Sequence, residues 1–391
     1  MSALAAVGFA MDLPVRVIFG NGVVAQLPEL VAELGCSECA VVLEPAVAGL
    51  VGVTAALDAC TGSGIRVERL LAPGAEPTYS AAAEAEAWLR DVRADVLVAI
   101  GGGSTMDLAK AARLLAEQGG PIRRFVGNES LLMQPAMPLV AVPTTSGTGS
   151  EVSLDAVLTD DETHLKVGLN SPCLRPQVAL VDPELAHSLP ATSTAYAGVD
   201  ALAQAIGGVV TTRRNPVSAA LGLEACRLIG RSLEAAVRDG SDRTARGEMA
   251  AASLLAGLSM SISECAAEHS VGQAIGGLLG VPHGLTIGVV LAETLEINRP
   301  DCAGGLEDVA DALGAPPADG PPLGGRAIEA IRRLLAALDF PTLADVGVRP
   351  EHVDELVRRS LADDFVRWNP HAWTEADFRT VYADALSLGA R

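Results

Sequence analysis

Five polar residues stand out in the Ala- and Leu-rich second half of the chain. Asp200 and Gln204 are four apart and so project from one helical face, and His269 and Gln273 repeat that spacing. His283 follows, set between Pro282 and Gly284. A carboxylate, two imidazoles and an amide oxygen can hold a divalent cation with positions left open, as a Lewis-acid catalyst requires. The bland alternative is a set of satisfied core residues, since a His on an apolar helix is more often simply buried and hydrogen-bonded. Spacing alone leaves both readings standing.

Two further segments offer donors rather than ligands. Gly101-Gly102-Gly103-Ser104 follows an apolar run ending at Ile100 and precedes a helical pattern over Thr105 to Ala116. Glycines let a phosphate approach the backbone, and a helix start supplies free N–H groups and the positive end of its dipole. Ser104 with Asp107 three residues on resembles a capping box for that helix. The run is not G-x-G-x-x-G, so an ordinary strand-to-helix turn is the competing reading. The second segment, Pro143-Thr144-Thr145-Ser146-Gly147-Thr148-Gly149-Ser150-Glu151, also follows an apolar run. Two such loops at adjacent strand ends form the crevice in which open α/β sheets bind ligands.

The elements that must position these groups follow from periodicity. Strands are expected at Val15 to Phe19, Cys39 to Leu43, Val67 to Leu71, Asp95 to Ile100 and Pro138 to Pro143. Helical spacing lies between them, at Val23 to Leu34, Leu50 to Cys60 and Tyr79 to Val92. Alternation of this kind points to a doubly wound, mainly parallel sheet. The pattern changes between Asp182 and Pro190. Beyond it come helical stretches at Val217 to Gly230, Arg246 to Cys265, Gly325 to Leu338, His352 to Leu361 and Thr374 to Leu388. An α/β domain over 1–186 and an all-α domain over 187–391 are therefore expected.

Composition sets the outer limits. The 391 residues carry 28 Lys and Arg against 48 Asp and Glu, a net charge of −20, which argues against a nucleic-acid partner. Apolar residues make up 49% of the chain, enough for a sizeable core, but aromatics are only 3%, so Ala, Val, Leu and Ile must build it. The seven cysteines are irregularly spaced, and the lone Cys36-x-x-Cys39 has no second pair to complete a zinc site. A reducing compartment fits. Met1 to Val17 lacks a basic start and is interrupted by Asp12 and Pro14, unlike a signal peptide. Pro282 and His283 break the apolar run from Ala274 to Leu291, so no membrane span is expected and the cytoplasm is the expected location.

Taken together, the motifs resemble those of the iron-containing (group III) alcohol dehydrogenase family. The match runs in order through Ile18-Phe19-Gly20, Gly101 to Ser104 with Asp107 and Lys110, Pro143 to Ser153, and Asp182-Pro183. It continues through Gly198-Val199-Asp200-Ala201-Leu202, Pro282-His283-Gly284, Phe340-Pro341-Thr342-Leu343 and Asn369-Pro370. The resemblance implies a dehydroquinate synthase-like fold, with a dinucleotide-binding domain, a helical domain and an active site in the cleft between them. By the same resemblance, Gly102, Gly103 and Ser104 hold the pyrophosphate of a nicotinamide cofactor. Thr144 and Thr145 contact phosphates and ribose, and Asp155 and Lys166 lie near the nicotinamide. Lys110 is expected to be a solvated helix residue. At the position of the family's ribose-binding Asp the chain has Pro45, with Glu44 next to it and no nearby cation for a 2′-phosphate, which leans toward NAD over NADP.

The family's metal is held by an Asp and three His. Asp200, His269 and His283 match three of these, while Gln204 occupies the remaining place and Gln273 replaces a frequent second His on its helix. Gly207 and Val209 stand near where an acidic residue and a Tyr are usual. A divalent metal, iron or zinc, is the expectation, and His283, His269 and Gln273 are the candidate catalytic residues. The expected activity is hydride transfer between a nicotinamide cofactor and a small aldehyde or ketone, in a homodimer. One alternative is a metal-free reductase of an anionic oxo acid, like maleylacetate reductase, with Arg213 and Arg214 near the carboxylate or simply solvated. Others are a lyase or cyclase like dehydroquinate synthase and a non-catalytic nucleotide-binding protein.

Overall fold

The computed structural model describes residues 8–74, 76–317, 320 and 322–388, so the first seven residues of the stretch weighed as a signal peptide lie outside the described residues. The chain divides into two compact units, Leu13–Leu189 and Pro190–Arg391, the second also taking in the segment up to Asp12.

The first unit alternates strands and helices. In order they are β1 (Arg16–Phe19), α1 (Leu27–Glu33), β2 (Glu38–Leu43), α2 (Val51–Gly62), β3 (Arg66–Leu71), α3 (Tyr79–Val92), β4 (Val96–Gly101) and α4 (Gly103–Gln118). Then come β5 (Leu139–Pro143), β6 (Asp155–Thr159), β7 (Lys166–Asn170) and β8 (Val178–Val181). Six strands form one parallel sheet in the order β1-β8-β5-β4-β2-β3. Every residue of β4 and β5 is buried, as runs of Val, Ala, Leu and Ile must be when helices cover both faces of a parallel sheet. Strands β1 and β3, at the edges, are largely exposed and hold Arg16, Arg66, Glu68 and Arg69 in water. Asp182, just after β8, accepts from the Gly22 N–H at 3.0 Å and the Val24 N–H at 3.1 Å. One carboxylate thereby fastens the turn after β1 to the end of β8.

Two parts of this unit differ from the sequence expectation. Strands β6 and β7 form a separate antiparallel ribbon, and β8 completes the main sheet. They are four or five residues long, too short for periodicity to distinguish from loop. The capping box expected at Ser104 and Asp107 is absent. Helix α4 begins two residues earlier, with Gly102 as its N-cap and no capping side chain. Asp107 turns to β6 instead, accepting from the Ser150 hydroxyl at 2.7 Å and the Val157 N–H at 3.0 Å.

The second unit is helical: α5 (Ala191–Val210), α6 (Pro216–Arg238), α7 (Arg243–Ser263), α8 (Ala267–Leu279), α9 (His283–Ala312), α10 (Gly325–Ala337), α11 (Val353–Leu361) and α12 (Glu375–Leu388). Helix α5 is buried without a break from Gly198 to Val210, so it is the hub of this unit. Its residues are small because its neighbours press on it. A Cβ at Gly208 would lie 1.8 Å from the Ser259 hydroxyl of α7, and one at Gly222 of α6 would lie 2.4 Å from the Ala205 carbonyl. Helix α6 starts with a capping box between Asn215 and Ser218 and a Pro at its first position. Helix α9 carries Pro300 and departs from helical geometry at Cys302, the kink that a missing N–H produces. No single described helix is long and apolar enough to cross a membrane; α7 and α8 meet that length and composition only as a pair, bent by 106°.

Candidate active site

Helices α5, α8 and α9 bring together the polar residues of the second unit. Two glycines permit it. A Cβ at Gly284 would sit 2.2 Å from the Tyr196 carbonyl of α5, and one at Gly272 would sit 2.4 Å from the Ile287 side chain of α9. Pro282, preset near φ −56°, turns the chain into α9 so that His283 is its first residue. Asn369 anchors the start of α8: its carbonyl oxygen accepts from the Ala267 N–H at 3.0 Å and from the Asn298 amide at 2.8 Å.

The result is a cluster in which one ligand atom each from Asp200, His269 and His283 lies within 4.8 Å of the others. Asp200 Oδ1 is 3.6 Å from His269 Nε2 and 3.5 Å from His283 Nε2. Gln204 joins through its amide nitrogen, which donates to Asp200 Oδ2 at 3.2 Å and leaves its oxygen available. Asp200 Oδ1, Gln204 Oε1 and His269 Nε2 are all buried without a hydrogen-bond partner. Leaving one buried polar atom unpaired costs about 1–3 kcal/mol. A carboxylate oxygen, an amide oxygen and an imidazole nitrogen are all ligand types for a divalent cation, and their lack of other partners here fits one. Burial raises the carboxyl of Asp200, but the His283 and His269 imidazoles and Gln204 outweigh it and hold the group below its ordinary range. Burial likewise pulls His269 down, while Cys265, Asp200 and Glu268 together hold it well above the ordinary histidine range. Gln273 lies one turn past His269 and is buried.

The sequence reading passed over two neighbours. Glu268 is 2% exposed and presents its carboxylate to His269 Nδ1 at 3.0 Å. An acidic residue in the first turn of a helix reads as a dipole complement, and its adjacency to a candidate ligand was the available signal. Phe365 meets the His269 ring edge-on at 5.7 Å between centroids, from a segment 96 residues further along the chain, so no local pattern pointed to it. Arg213 is tied to Glu264 at 2.9 Å and stacks on Trp368, so its charge is already matched.

In the first unit the two donor-rich loops are neighbours. Gly102 N–H donates to Glu44 Oε2 at 2.8 Å. A Cβ at Gly102 would come within 3.3 Å of the Thr145 methyl, and one at Gly103 would lie 2.6 Å from that of Thr148. The glycines therefore serve loop-on-loop packing as well as any phosphate. The N–H groups of Gly103 and Ser104 point out of the uncapped end of α4. The Thr144 hydroxyl is buried without a partner, another donor awaiting an acceptor.

Lys110 corrects the sequence reading: it is not solvated but 0% exposed. Its ammonium donates to the Ser150 hydroxyl at 2.8 Å, the Ser153 hydroxyl at 3.1 Å, and the carbonyls of Ser153 and Asp155 at 3.3 and 2.7 Å. Its position on α4 faces the second loop, which periodicity could not reveal. Glu151 is buried beside it and pushed up to about 7 by desolvation, against which its own backbone N–H and Lys110 pull. Asp155 and Lys166 are not brought together. They lie at opposite ends of the β6–β7 ribbon, Asp155 opposite Asn170 and Lys166 opposite Thr159. Asp155 accepts from the Asn170 amide at 2.7 Å, and Lys166 pairs with Glu76 at 3.0 Å.

Comparison with known proteins yields a coherent set. The family model for iron-containing alcohol dehydrogenase matches residues 14–183, and that for the C-terminal part of the Fe-containing alcohol dehydrogenase family matches 194–386. The chain is 32% identical over 376 residues to long-chain-alcohol dehydrogenase 1 of Geobacillus thermodenitrificans, covering 94% of each protein. A crystal structure of 1,3-propanediol oxidoreductase superposes with a TM-score of 0.92 at 30% identity, covering 97% of this chain and all of that one. Sulfoacetaldehyde reductase from Bifidobacterium kashiwanohense in complex with NAD+ superposes with a TM-score of 0.88 at 27% identity, over 98% of this chain and all of that one. On its motifs, its two matched halves and its fold, the chain belongs to the iron-containing alcohol dehydrogenase family and is an oxidoreductase of that type.

Proposed function

We propose that the chain interconverts an alcohol with its aldehyde or ketone by hydride exchange with NAD, using a divalent cation held by Asp200, Gln204, His269 and His283. The observation that carries this reading is that Asp200 Oδ1 and His269 Nε2, 3.6 Å apart and beside His283, are both buried without a hydrogen-bond partner, with the Gln204 amide bonded to the same carboxylate. A bound cation supplies Lewis acidity toward the carbonyl oxygen. Asp200 contributes the one formal negative charge among the four, and Gln204 orients that carboxylate through its amide N–H. His283 is the most open of them, its side chain 27% exposed, and so is the ring that can exchange a proton with water. Gln273 is the adjacent neutral amide suited to orient the substrate oxygen.

The cofactor's pyrophosphate is assigned to the backbone N–H groups of Gly103 and Ser104, with Thr144 and Thr145 beside them; Gly102, whose own N–H is taken by Glu44, contributes the close backbone approach. Thr144 supports this through its unpartnered hydroxyl. Glu44 beside Gly102 puts a carboxylate where an NADP 2′-phosphate would be repelled, which favours NAD. Asp155 and Lys166 are assigned to the nicotinamide side, supported by the family resemblance alone. The 1–186 and 187–391 domain assignment, a homodimer and a cytoplasmic location belong to the same reading. All seven cysteines are unpaired, in keeping with a reducing compartment.

The test is metal analysis together with NADH oxidation over a panel of aldehydes and ketones, before and after chelation. The expected result is one metal per chain, loss of turnover on its removal, and recovery with Fe2+ or Zn2+. Full turnover by metal-free protein overturns the Lewis-acid reading and leaves the metal-free oxo-acid reductase in its place.

A further inference from the structure

Glu268 has no place in the chemistry described so far, yet it is a carboxylate only 2% exposed and has no arginine or lysine partner among the described residues. One oxygen, Oε1, does two things. It accepts from the Ala266 N–H at 3.1 Å, and it faces His269 Nδ1 at 3.0 Å. The first contact satisfies the backbone N–H of Ala266, the N-cap of α8, as the returning side chain of a capping box does. The second fixes the imidazole. An ionised carboxylate can only accept, so Nδ1 must carry the hydrogen. Nε2 is then the ring atom left to meet a cation, which displaces any proton it carries, and it is Nε2 that lies unpartnered, 3.6 Å from Asp200 Oδ1.

We propose that Glu268 is a positioning residue for the cation site: it fixes the tautomer and ring orientation of His269 and relays a second negative charge to the metal through the imidazole. A carboxylate behind a ligating histidine raises the basicity of the ring and holds its orientation. In this chain that addition has a specific use. Gln204 is a neutral amide, a weaker donor than imidazole, and Asp200 is the only charged group among the four ligands. Glu268 brings the surrounding charge to −2, matching a dication. The inference rests on the reading that this cluster holds a metal.

The competing role is helix capping alone, and the variants separate the two. Glu268→Gln keeps an oxygen for the Ala266 N–H but removes the charge, whereas Glu268→Ala removes both. Competition of each purified protein with a chromogenic chelator for Zn2+ gives the metal affinity, and circular dichroism of the metal-free proteins gives the fold. The expected loss of affinity is about 10–100-fold for Glu268→Ala, with Glu268→Gln intermediate. On a His269→Ala background, Glu268→Gln is expected to have no further effect, because the relay is gone. Equal affinity in wild type and Glu268→Gln, or an equal drop with and without His269, overturns the proposal. If Glu268→Ala does not fold, the Glu268→Gln pair decides alone. A wild type that binds neither Zn2+ nor Fe2+ overturns the metal reading, and the role of Glu268 with it. A wild type that binds, with variants that bind as tightly, overturns Glu268 only.

Discussion

The most informative residue for the chemistry is Gln204. Its amide divides its two ends between two tasks: the nitrogen holds Asp200 Oδ2 and the buried oxygen is left without a hydrogen-bond partner. An imidazole there would be a better donor for iron or zinc. Gln204→His is therefore expected to tighten Zn2+ binding by about tenfold, the step that about 1.4 kcal/mol makes in a binding constant. Isothermal titration with Zn2+ checks this, and an unchanged affinity would mean that position 204 does not touch the metal. That Asp200, Gln204, His269 and His283 are candidates for one site was legible from the family resemblance, while spacing alone left a set of core residues equally open. Their donor atoms, the unpaired oxygen and the carboxylate behind His269 were not. Hydrogen-bond satisfaction depends on partners that spacing within a helix does not specify.

At the scale of elements, α4 and the loop after β5 act as one piece, and Lys110 joins them. The buried ammonium satisfies two serines and two carbonyls, and Asp107, Asp155 and Glu151 surround it. Removing one partner of such a buried set leaves uncompensated charge, at a cost of about 3–5 kcal/mol. Lys110→Met is expected to destabilise the protein by that amount in urea unfolding and to weaken NADH binding, measured by fluorescence, because the loop bearing Thr144 loses its anchor. An unchanged urea midpoint would contradict this. Nearly every strand and helix was visible as periodicity. The exceptions were the β6–β7 ribbon, β8 and the long helix α9, whose start at Pro282 and His283 reads as a break in an apolar run. The burial of Lys110 was missed because its partners are 40 to 45 residues away.

For the molecule as a whole, the buried acids make stability depend on pH. Glu151 is pushed up to about 7 and Asp155 to about 6, in both cases mainly by desolvation, from ordinary values of 4.5 and 3.8. Between the ordinary and the raised value the folded state binds more protons than the unfolded state. The share of stability carried by these two groups therefore falls as pH rises through that window, from about pH 4 to about pH 7, and levels off above it. Glu151→Gln is neutral in both states and removes its part of the slope. Its melting temperature is expected to exceed that of wild type by several degrees at pH 8 and to converge with it at pH 4. Thermal melts across pH 4–9 check this, and parallel curves for the two proteins would contradict it.

The sequence by itself determined the family, the alternation of strands and helices in the first half, the change to helices near Pro190, and the residues able to bind a cofactor or a metal. These are properties of local pattern: glycine where backbones close up, periods of 2 and 3.6, and polar residues repeated on one face. Only the tertiary structure decided which atoms of those residues have partners, that Lys110 is buried, that Asp155 and Lys166 lie apart, and that Glu268 stands behind His269. Each depends on groups brought together from distant parts of the chain, or on the direction in which a side chain leaves its helix, and burial is set by those neighbours.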